Sequence, residues 1–196
     1  EQVQFTGNVG VEANTSSVNL NLNYNHPVKS LHWVIQDNTF SEVKSVDIVG
    51  DKLGRDSGNQ KLRYDSLSTL NDANDTFKTA KLQLNGHDRF SERDADYFRL
   101  VQPFQHYQAS NSRYIYTYSF GLKPYEHQPS GTCNFSRIDS AKLSLTFDTT
   151  STSQNVKDDG NNYTGQLPND ATIKIYAVNY NVLRIMSGMG GVAYTN

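Results

Sequence analysis

One cysteine, one tryptophan, two methionines and five prolines stand among 196 residues. Cys133 has no partner inside the chain, so no internal disulfide framework shapes the fold. A chain of this length buries roughly 70% of its unfolded surface and needs no such staples. Charge is scarce as well: Asp, Glu, Lys and Arg make up 19%, and they nearly cancel at a net −2. That balance excludes binding to nucleic acid by bulk electrostatics. No apolar run reaches the roughly 20 residues of a membrane span. The best tract, residues 173–193, is interrupted by Lys174 and Arg184. The opening Glu1-Gln2-Val3-Gln4-Phe5 has neither an initiator Met nor a basic or apolar leader, so a processed product or a piece of a longer chain is expected.

What fills the chain instead is uncharged polarity. Asn, Ser and Thr account for 54 of 196 residues, and these side chains divert hydrogen bonds away from a helical ladder. Twelve Tyr and nine Phe tilt the composition further toward β structure. Period-two alternation follows. Val18, Leu20, Leu22 and Tyr24 alternate with asparagines, and Val3 and Phe5 alternate with Gln2 and Gln4, which predicts strands with one wet face. Leu31, Trp33 and Ile35 share a face after Pro27. Tyr114, Tyr116, Tyr118 and Phe120 make an aromatic-faced strand, and Ala141, Leu143, Leu145 and Phe147 another. A long β tract runs over 172–187 with a bend at Tyr180-Asn181. Asn85-Gly86 predicts a tight turn, and residues 93–102 a helical turn or two ending before Pro103. Residues 40–78 and 149–170 read as long polar connections. The expected fold is all-β, one domain over 1–196: an antiparallel eight-stranded jelly-roll sandwich with long loops and little helix. An immunoglobulin sandwich is disfavoured because Trp33 lacks a flanking cysteine pair.

Motifs that carry chemistry fail on inspection. Gly188-Met189-Gly190-Gly191-Val192-Ala193 fits the loose dinucleotide pattern, yet no helix or later acid follows it. Gly160 and Gly165 have phosphate-loop spacing without the Lys. The five histidines form no metal-ligand pair, and Asn71 to Asp75 lacks the Gly and bidentate Glu of a calcium loop. Acid pairs such as Asp94/Asp96 and Asp158/Asp159 cannot be placed at glycosidase spacing from sequence. No enzyme, cofactor or metal is expected. Asn14, Asn74, Asn134 and Asn162 begin Asn-x-Ser/Thr triplets and are candidate glycan acceptors.

Four stretches together are far more specific: Asn25-His26-Pro27-Val28-Lys29; Lys81-Leu82-Gln83-Leu84-Asn85-Gly86-His87-Asp88-Arg89-Phe90; Gln128-Pro129-Ser130-Gly131-Thr132-Cys133-Asn134-Phe135-Ser136-Arg137-Ile138-Asp139; and Asn179-Tyr180-Asn181-Val182-Leu183-Arg184-Ile185-Met186-Ser187-Gly188-Met189-Gly190-Gly191. With them the chain closely resembles the C-terminal half of the major capsid protein of nucleocytoplasmic large DNA viruses, in the algal-virus and mimivirus-like branch. The resemblance implies the second jelly roll of a double jelly-roll protein, its N-terminal roll absent from this sequence. It further implies homotrimers forming pseudo-hexagonal capsomers, which tile an icosahedral shell with neighbouring capsomers and minor capsid proteins. That shell lies over an internal membrane that the protein does not enter, in a virion assembled in the host cytoplasm. Direct nucleic-acid contact is not implied; a host-receptor surface on the same loops is compatible.

Within these blocks the residues admit physical readings. Pro129 and Gly131 set a tight turn, and Arg137 and Asp139 are expected to pair across neighbouring strands or to meet another subunit. Arg184 inside an apolar strand needs a carboxylate or several carbonyls, with Asp88, Asp94 and Asp139 as candidate partners. Gly188, Gly190 and Gly191 permit positive φ or close backbone approach. The rival function is a carbohydrate-binding module or glycan-active protein using Trp33, Tyr114, Tyr116 and Tyr118, although strand spacing favours core packing for these rings.

Overall fold

The computed structural model describes residues 1–38, 64, 66–67, 73–109, 114–148 and 170–194. The first sheet has the order β1 (Gln2–Val11), β12 (Ala171–Asn179), β3 (Pro27–Asp37), and the free edge of β3 is shared by β9 (Tyr116–Ser119) and β10 (Cys133–Asn134). The second has the order β2 (Ser17–Asn21), β11 (Ala141–Thr146), β6 (Thr79–Leu84), whose free edge is shared by β7 (His87–Asp88) and β8 (Arg93–Asp94). All pairings are antiparallel. Each sheet thus has four strand positions, eight in all, and β1, β2, β3 and β6 alternate between the sheets, as do β11 and β12. This is the jelly-roll winding the sequence led us to expect. Two further ribbons lie outside it: β4 (Ser66–Leu67) with β5 (Ala73–Asn74), and β13 (Leu183–Met186) with β14 (Met189–Val192).

Between the sheets the inward positions interdigitate. Leu143 is flanked by Leu20 and Leu82, and Ile173 and Ile175 lie opposite Ile35 and Trp33; all are essentially buried. One end of the core is aromatic, with Trp33 to Phe98 at 5.2 Å and Phe77 to Tyr116 at 4.5 Å between ring centroids, spacings that suit edge and offset packing. The asparagines of β2 stay outside, where Asn19 Oδ1 accepts from Ser144 Oγ at 2.6 Å.

Four expectations change. Val3 and Phe5 face outward and Gln4 is buried, because a bulge opposes Thr6 and Gly7 (φ 94°) to Ile175 and switches the pleat; Val9 and Val11 then point to the core. Gln4 Oε1 accepts from the Asn25 amide at 2.9 Å, so its burial is satisfied. The helical segment does not stop before Pro103: a π-helical turn, Tyr97–Val101, runs into α1 (Gln102–Tyr107). Proline is tolerated there because it follows directly on the π turn, where the regular i−4 ladder is already interrupted. Tyr114 lies outside β9 with φ 54°. Finally, the polar connection read over 40–78 ends early, since Asp75, Thr76 and Phe77 are core residues. Residues 39–63 and 149–169, with the expectations that fall on them, lie outside the described residues.

Candidate assembly surface

The two outer faces of the sandwich differ in chemistry. On the second sheet the outward rows are Asn21, Lys142, Gln83; then Asn19, Ser144, Lys81; then Ser17, Thr146, Thr79. Every member is polar. On the first sheet the outward rows are Val3, Val178, Ser30; Phe5, Tyr176, His32; Asn8, Lys174, Val34; and Gly10, Thr172, Gln36, so apolar groups gather at the end before the bulge and polar ones beyond it. Phe5 stacks on Tyr176 with centroids 4.7 Å apart, yet remains 47% exposed. α1 covers the β3 side of this face. His32 Nε2 lies 3.0 Å from Ser30 Oγ and 3.3 Å from the Tyr107 hydroxyl, while Nδ1 lies 3.1 Å from Thr117 Oγ1. Burial, helped by the nearby Lys29 charge, lowers the His32 imidazole to about 4. Lys29 is itself buried: its ammonium donates to Glu1 and to the Pro124 carbonyl, and it sits 5.5 Å from the Tyr180 ring.

Beyond β12 the chain breaks at Tyr180-Asn181, where a bend or bulge was expected. Asn181 Nδ2 donates to Gln2 Oε1 at 2.9 Å, fixing the root of the β13–β14 hairpin to β1. The hairpin turns through Ser187 (φ 51°) and Gly188 (φ 80°), two positive φ values in succession, as a two-residue primed turn requires. All eight of its strand residues are exposed, although Leu183, Ile185, Met186, Met189 and Val192 are apolar.

The sequence-derived site residues scatter. Arg184 lies in this exposed hairpin opposite Gly191, and among the described residues it makes no ion pair; Asp88 is bound instead by Lys81 and Gln83. The buried strand that would have demanded a carboxylate for it does not form. Gly188 uses its positive φ, whereas Gly190 and Gly191 have open space around them, so close backbone approach does not explain them. Arg137 closes a 3-10 turn, Phe135–Arg137, and Asp139 follows in the same connection, so the two do not face each other across strands. The Asp139 amide donates to Asn85 Oδ1 at 2.9 Å. Pro129 is exposed in the loop after β9. Gly131, at φ 145°, is held against Phe120 and Gly121; a Cβ there would meet the Phe120 carbonyl oxygen at 2.8 Å. Asn14 is exposed with φ 58° in the β1–β2 turn. Asn134 caps the 3-10 turn by accepting from the Ser136 amide at 3.1 Å. Asn74 pairs with Ser66 in a strand instead of a loop, and Asn162 lies outside the described residues. Trp33 and Tyr116 are fully buried and Tyr118 nearly so, and Tyr114 packs under Arg99. The rings proposed for sugar binding are core, and the carbohydrate reading has no support.

One polar cluster escaped sequence inspection. The buried Asp75 carboxylate accepts from Arg99 Nε at 2.7 Å, Arg99 Nη2 at 2.9 Å and the Tyr116 hydroxyl at 2.9 Å. Arg99 also reaches Asp96 at 2.5 Å. Burial raises the Asp75 carboxyl and the Tyr116 hydroxyl; at Arg99 burial pulls the other way, but the hydrogen bonds and charge of Asp75 together with the charges of Asp96 and Tyr114 outweigh it and raise the guanidinium. The cluster ties the helical turn to the strand edge of the core, which is a structural duty. No signal in the sequence joins residues 24 positions apart in this way. Among the described residues no group of three or more His, Cys, Asp or Glu side chains could hold a metal, and no helix is long and apolar enough to cross a membrane.

An eight-position jelly roll of this kind belongs to the double-sheet class found in viral capsid and lectin domains alike. The profile described as large eukaryotic DNA virus major capsid protein matches residues 1–191. The major capsid protein of Paramecium bursaria Chlorella virus 1 is 43% identical, with 100% of this chain and 48% of that protein covered. That of Pyramimonas orientalis virus is 41% identical, with 100% and 42% covered. A quasi-atomic structure of the PBCV-1 virus capsid superposes with a TM-score of 0.70 at 36% identity, covering 100% of this chain and 50% of that one. The faustovirus major capsid protein shares the fold, with a TM-score of 0.61 over 87% of this chain and 31% of that one at 11% identity. The chain belongs to the large eukaryotic DNA virus major capsid protein family. It spans about half the length of the relatives it matches.

Proposed function

We propose that this chain is a shell-building subunit whose activity is assembly and not catalysis. It would supply the second jelly roll of a double jelly-roll coat protein, three copies of which make a pseudo-hexagonal capsomer. Such capsomers would tile an icosahedral virion shell against one another and against minor capsid proteins. The shell would be assembled in the host cytoplasm over an internal membrane that the protein does not enter, without direct contact to nucleic acid. The observation that carries the reading is family-type jelly-roll winding whose exposed large apolar side chains, among the described residues, keep off the second sheet and lie on β1, on the helical segment and the loop after β9, and in the β13–β14 hairpin. A subunit that must be covered on one side and wetted on the other needs that arrangement. Residues 40–78 minus the core stretch at 75–77 fit an outward, variable loop, which could also meet a host surface.

Quantitative mass spectrometry of purified particles tests this. Peptides of this chain should rank among the most abundant of the virion proteins; trace amounts would contradict the reading. Limited proteolysis of the same intact particles should cut first within the loop. Full protection there, with cuts elsewhere, would remove the loop assignment alone.

A further inference from the structure

The short helix α1 is fastened unequally along its length. Gln102 and Pro103 at its start are buried, and Gln102 Oε1 accepts from the Ser119 amide of β9 at 3.0 Å. Beyond them the apolar anchorage ends: Phe104 is 74% exposed, Gln105 is exposed, and Gln108, at φ 52°, closes the helix at the surface. The last turn is held through imidazoles. His106 Nδ1 donates to the Leu122 carbonyl at 3.0 Å, and the Tyr107 hydroxyl lies 3.3 Å from His32 Nε2, the Tyr107 and His32 rings meeting edge to face at 5.8 Å between centroids. A ring nitrogen that donates to a carbonyl keeps that bond when the imidazole gains a proton. His32 is placed differently.

Under Tyr107 the His32 ring is surrounded by uncharged groups. Ser30 lies on its own strand, Thr117 on β9 and Tyr176 opposite it on β12. The charges of this corner are the Lys29 ammonium, which acts on the ring, and the Glu1 carboxylate, which Lys29 already holds. Among the described residues no carboxylate pairs with His32. A neutral imidazole has one donor and one acceptor nitrogen and suits hydroxyls, which can turn either way. The cation has two donors and no acceptor. It would forfeit one of these bonds and sit buried beside an ammonium with no anion against it. The closed turn therefore resists the proton, and an opened turn accepts it. We propose that His32 is an acid-sensitive latch: a proton on its imidazole drives the last turn of α1 off the outer face of the first sheet, while Gln102 and Pro103 keep the start of the helix in place. At the exposed His106–Leu122 contact water replaces the bond at little cost. The freed turn carries Phe104 with it and uncovers Ser30 and Thr117, so this flank changes form with pH. The latch is built from contacts within the chain and does not depend on the capsid reading.

The closed ring takes its proton at about 4, and a ring in water at the ordinary 6.5. Opening is then favoured about 30-fold more at pH 5 than at pH 7.5, and about 300-fold in the acid limit. Amide hydrogen exchange of the 196-residue chain, followed by nuclear magnetic resonance and corrected for intrinsic rates, reads this opening. Amides of residues 106–108 should lose about 30-fold in protection between pH 7.5 and pH 5, while staying less protected at both than the Leu143 and Leu145 amides of β11. His32→Gln should abolish the pH dependence at 106–108. Its persistence in that variant overturns the proposal. So does unchanged protection at 106–108 with the loss confined to Leu143 and Leu145, because His32 would then be uncovered only by global unfolding. Should the variant fail to fold, the wild-type ring decides: its carbon-bound protons should titrate near 4, and a midpoint near 6.5 removes the latch.

Discussion

Removing the Asp75 carboxylate would take from the Arg99 guanidinium and the Tyr116 hydroxyl the buried anion they share, leaving Arg99 with the exposed Asp96 and Tyr116 with Thr76. Loss of one member of a buried pair costs about 3–5 kcal/mol, more than the pair itself adds over an apolar substitute. Asp75→Ala should therefore lower the urea midpoint by an amount equivalent to about 3 kcal/mol, and Tyr116→Phe by about 1 kcal/mol. Equal, small losses in both would mean that the cluster is solvated in solution. His32 gives a pH signature. Its folded value lies near 4, below the ordinary 6.5, so the unfolded chain takes up the proton first as pH falls. The stability contributed is complete above about pH 6.5, declines from there to about pH 4 and is flat below, amounting to about 3 kcal/mol in all. Equilibrium unfolding at a series of pH values should show that slope, and His32→Gln should remove it; an unchanged slope in the variant would assign the effect elsewhere.

Among the elements, β1 carries the clearest lesson. Its alternation was legible, but the face was not: a bulge at Thr6-Gly7 inverts the first half of the strand, and a bulge depends on what the partner strand demands, not on local pattern. Phe5→Ser should consequently cost about 1 kcal/mol in the monomer, the loss of its stacking on Tyr176, whereas Ile175→Ala, at 1% exposure on the neighbouring strand, should cost about 2–5 kcal/mol in thermal or chemical unfolding. A large loss for Phe5→Ser would return that side chain to the core. Strands β2, β11 and β12 were legible because each keeps strict period two over a buried face, and β3, buried on both sides along most of its length, through the shared face of Leu31, Trp33 and Ile35. The Asn85-Gly86 turn was legible through its residue types, and both residues have positive φ. Arg184 was misread because burial was assumed from apolar neighbours, and those neighbours belong to a ribbon without a core. The Asp75–Arg99–Tyr116 cluster and the two-sided character of the sandwich needed three-dimensional pairing: outward rows exist only once the register of three strands is known.

At the scale of the molecule, a neutral, cysteine-poor and asparagine-rich chain becomes a sandwich whose second sheet turns polar rows outward and whose exposed apolar side chains, among the described residues, lie elsewhere. Four strand positions in each sheet reconcile ten sheet strands with an eight-position jelly roll, since short strands share the two free edges. Membership in the major capsid protein family explains why such a chain retains apolar side chains at its surface: a lone soluble domain would gain by replacing them, and a shell subunit would lose its contacts. The most direct measurement is an electron cryomicroscopy reconstruction of intact particles at a resolution that traces strands. The account predicts this sandwich in the shell, with the β1–β12–β3 face and the β13–β14 hairpin buried against neighbouring jelly rolls and the polar β2–β11–β6 face open to solvent. A shell without this sandwich, or one in which the polar face makes the contacts and the hairpin hangs free, would contradict it.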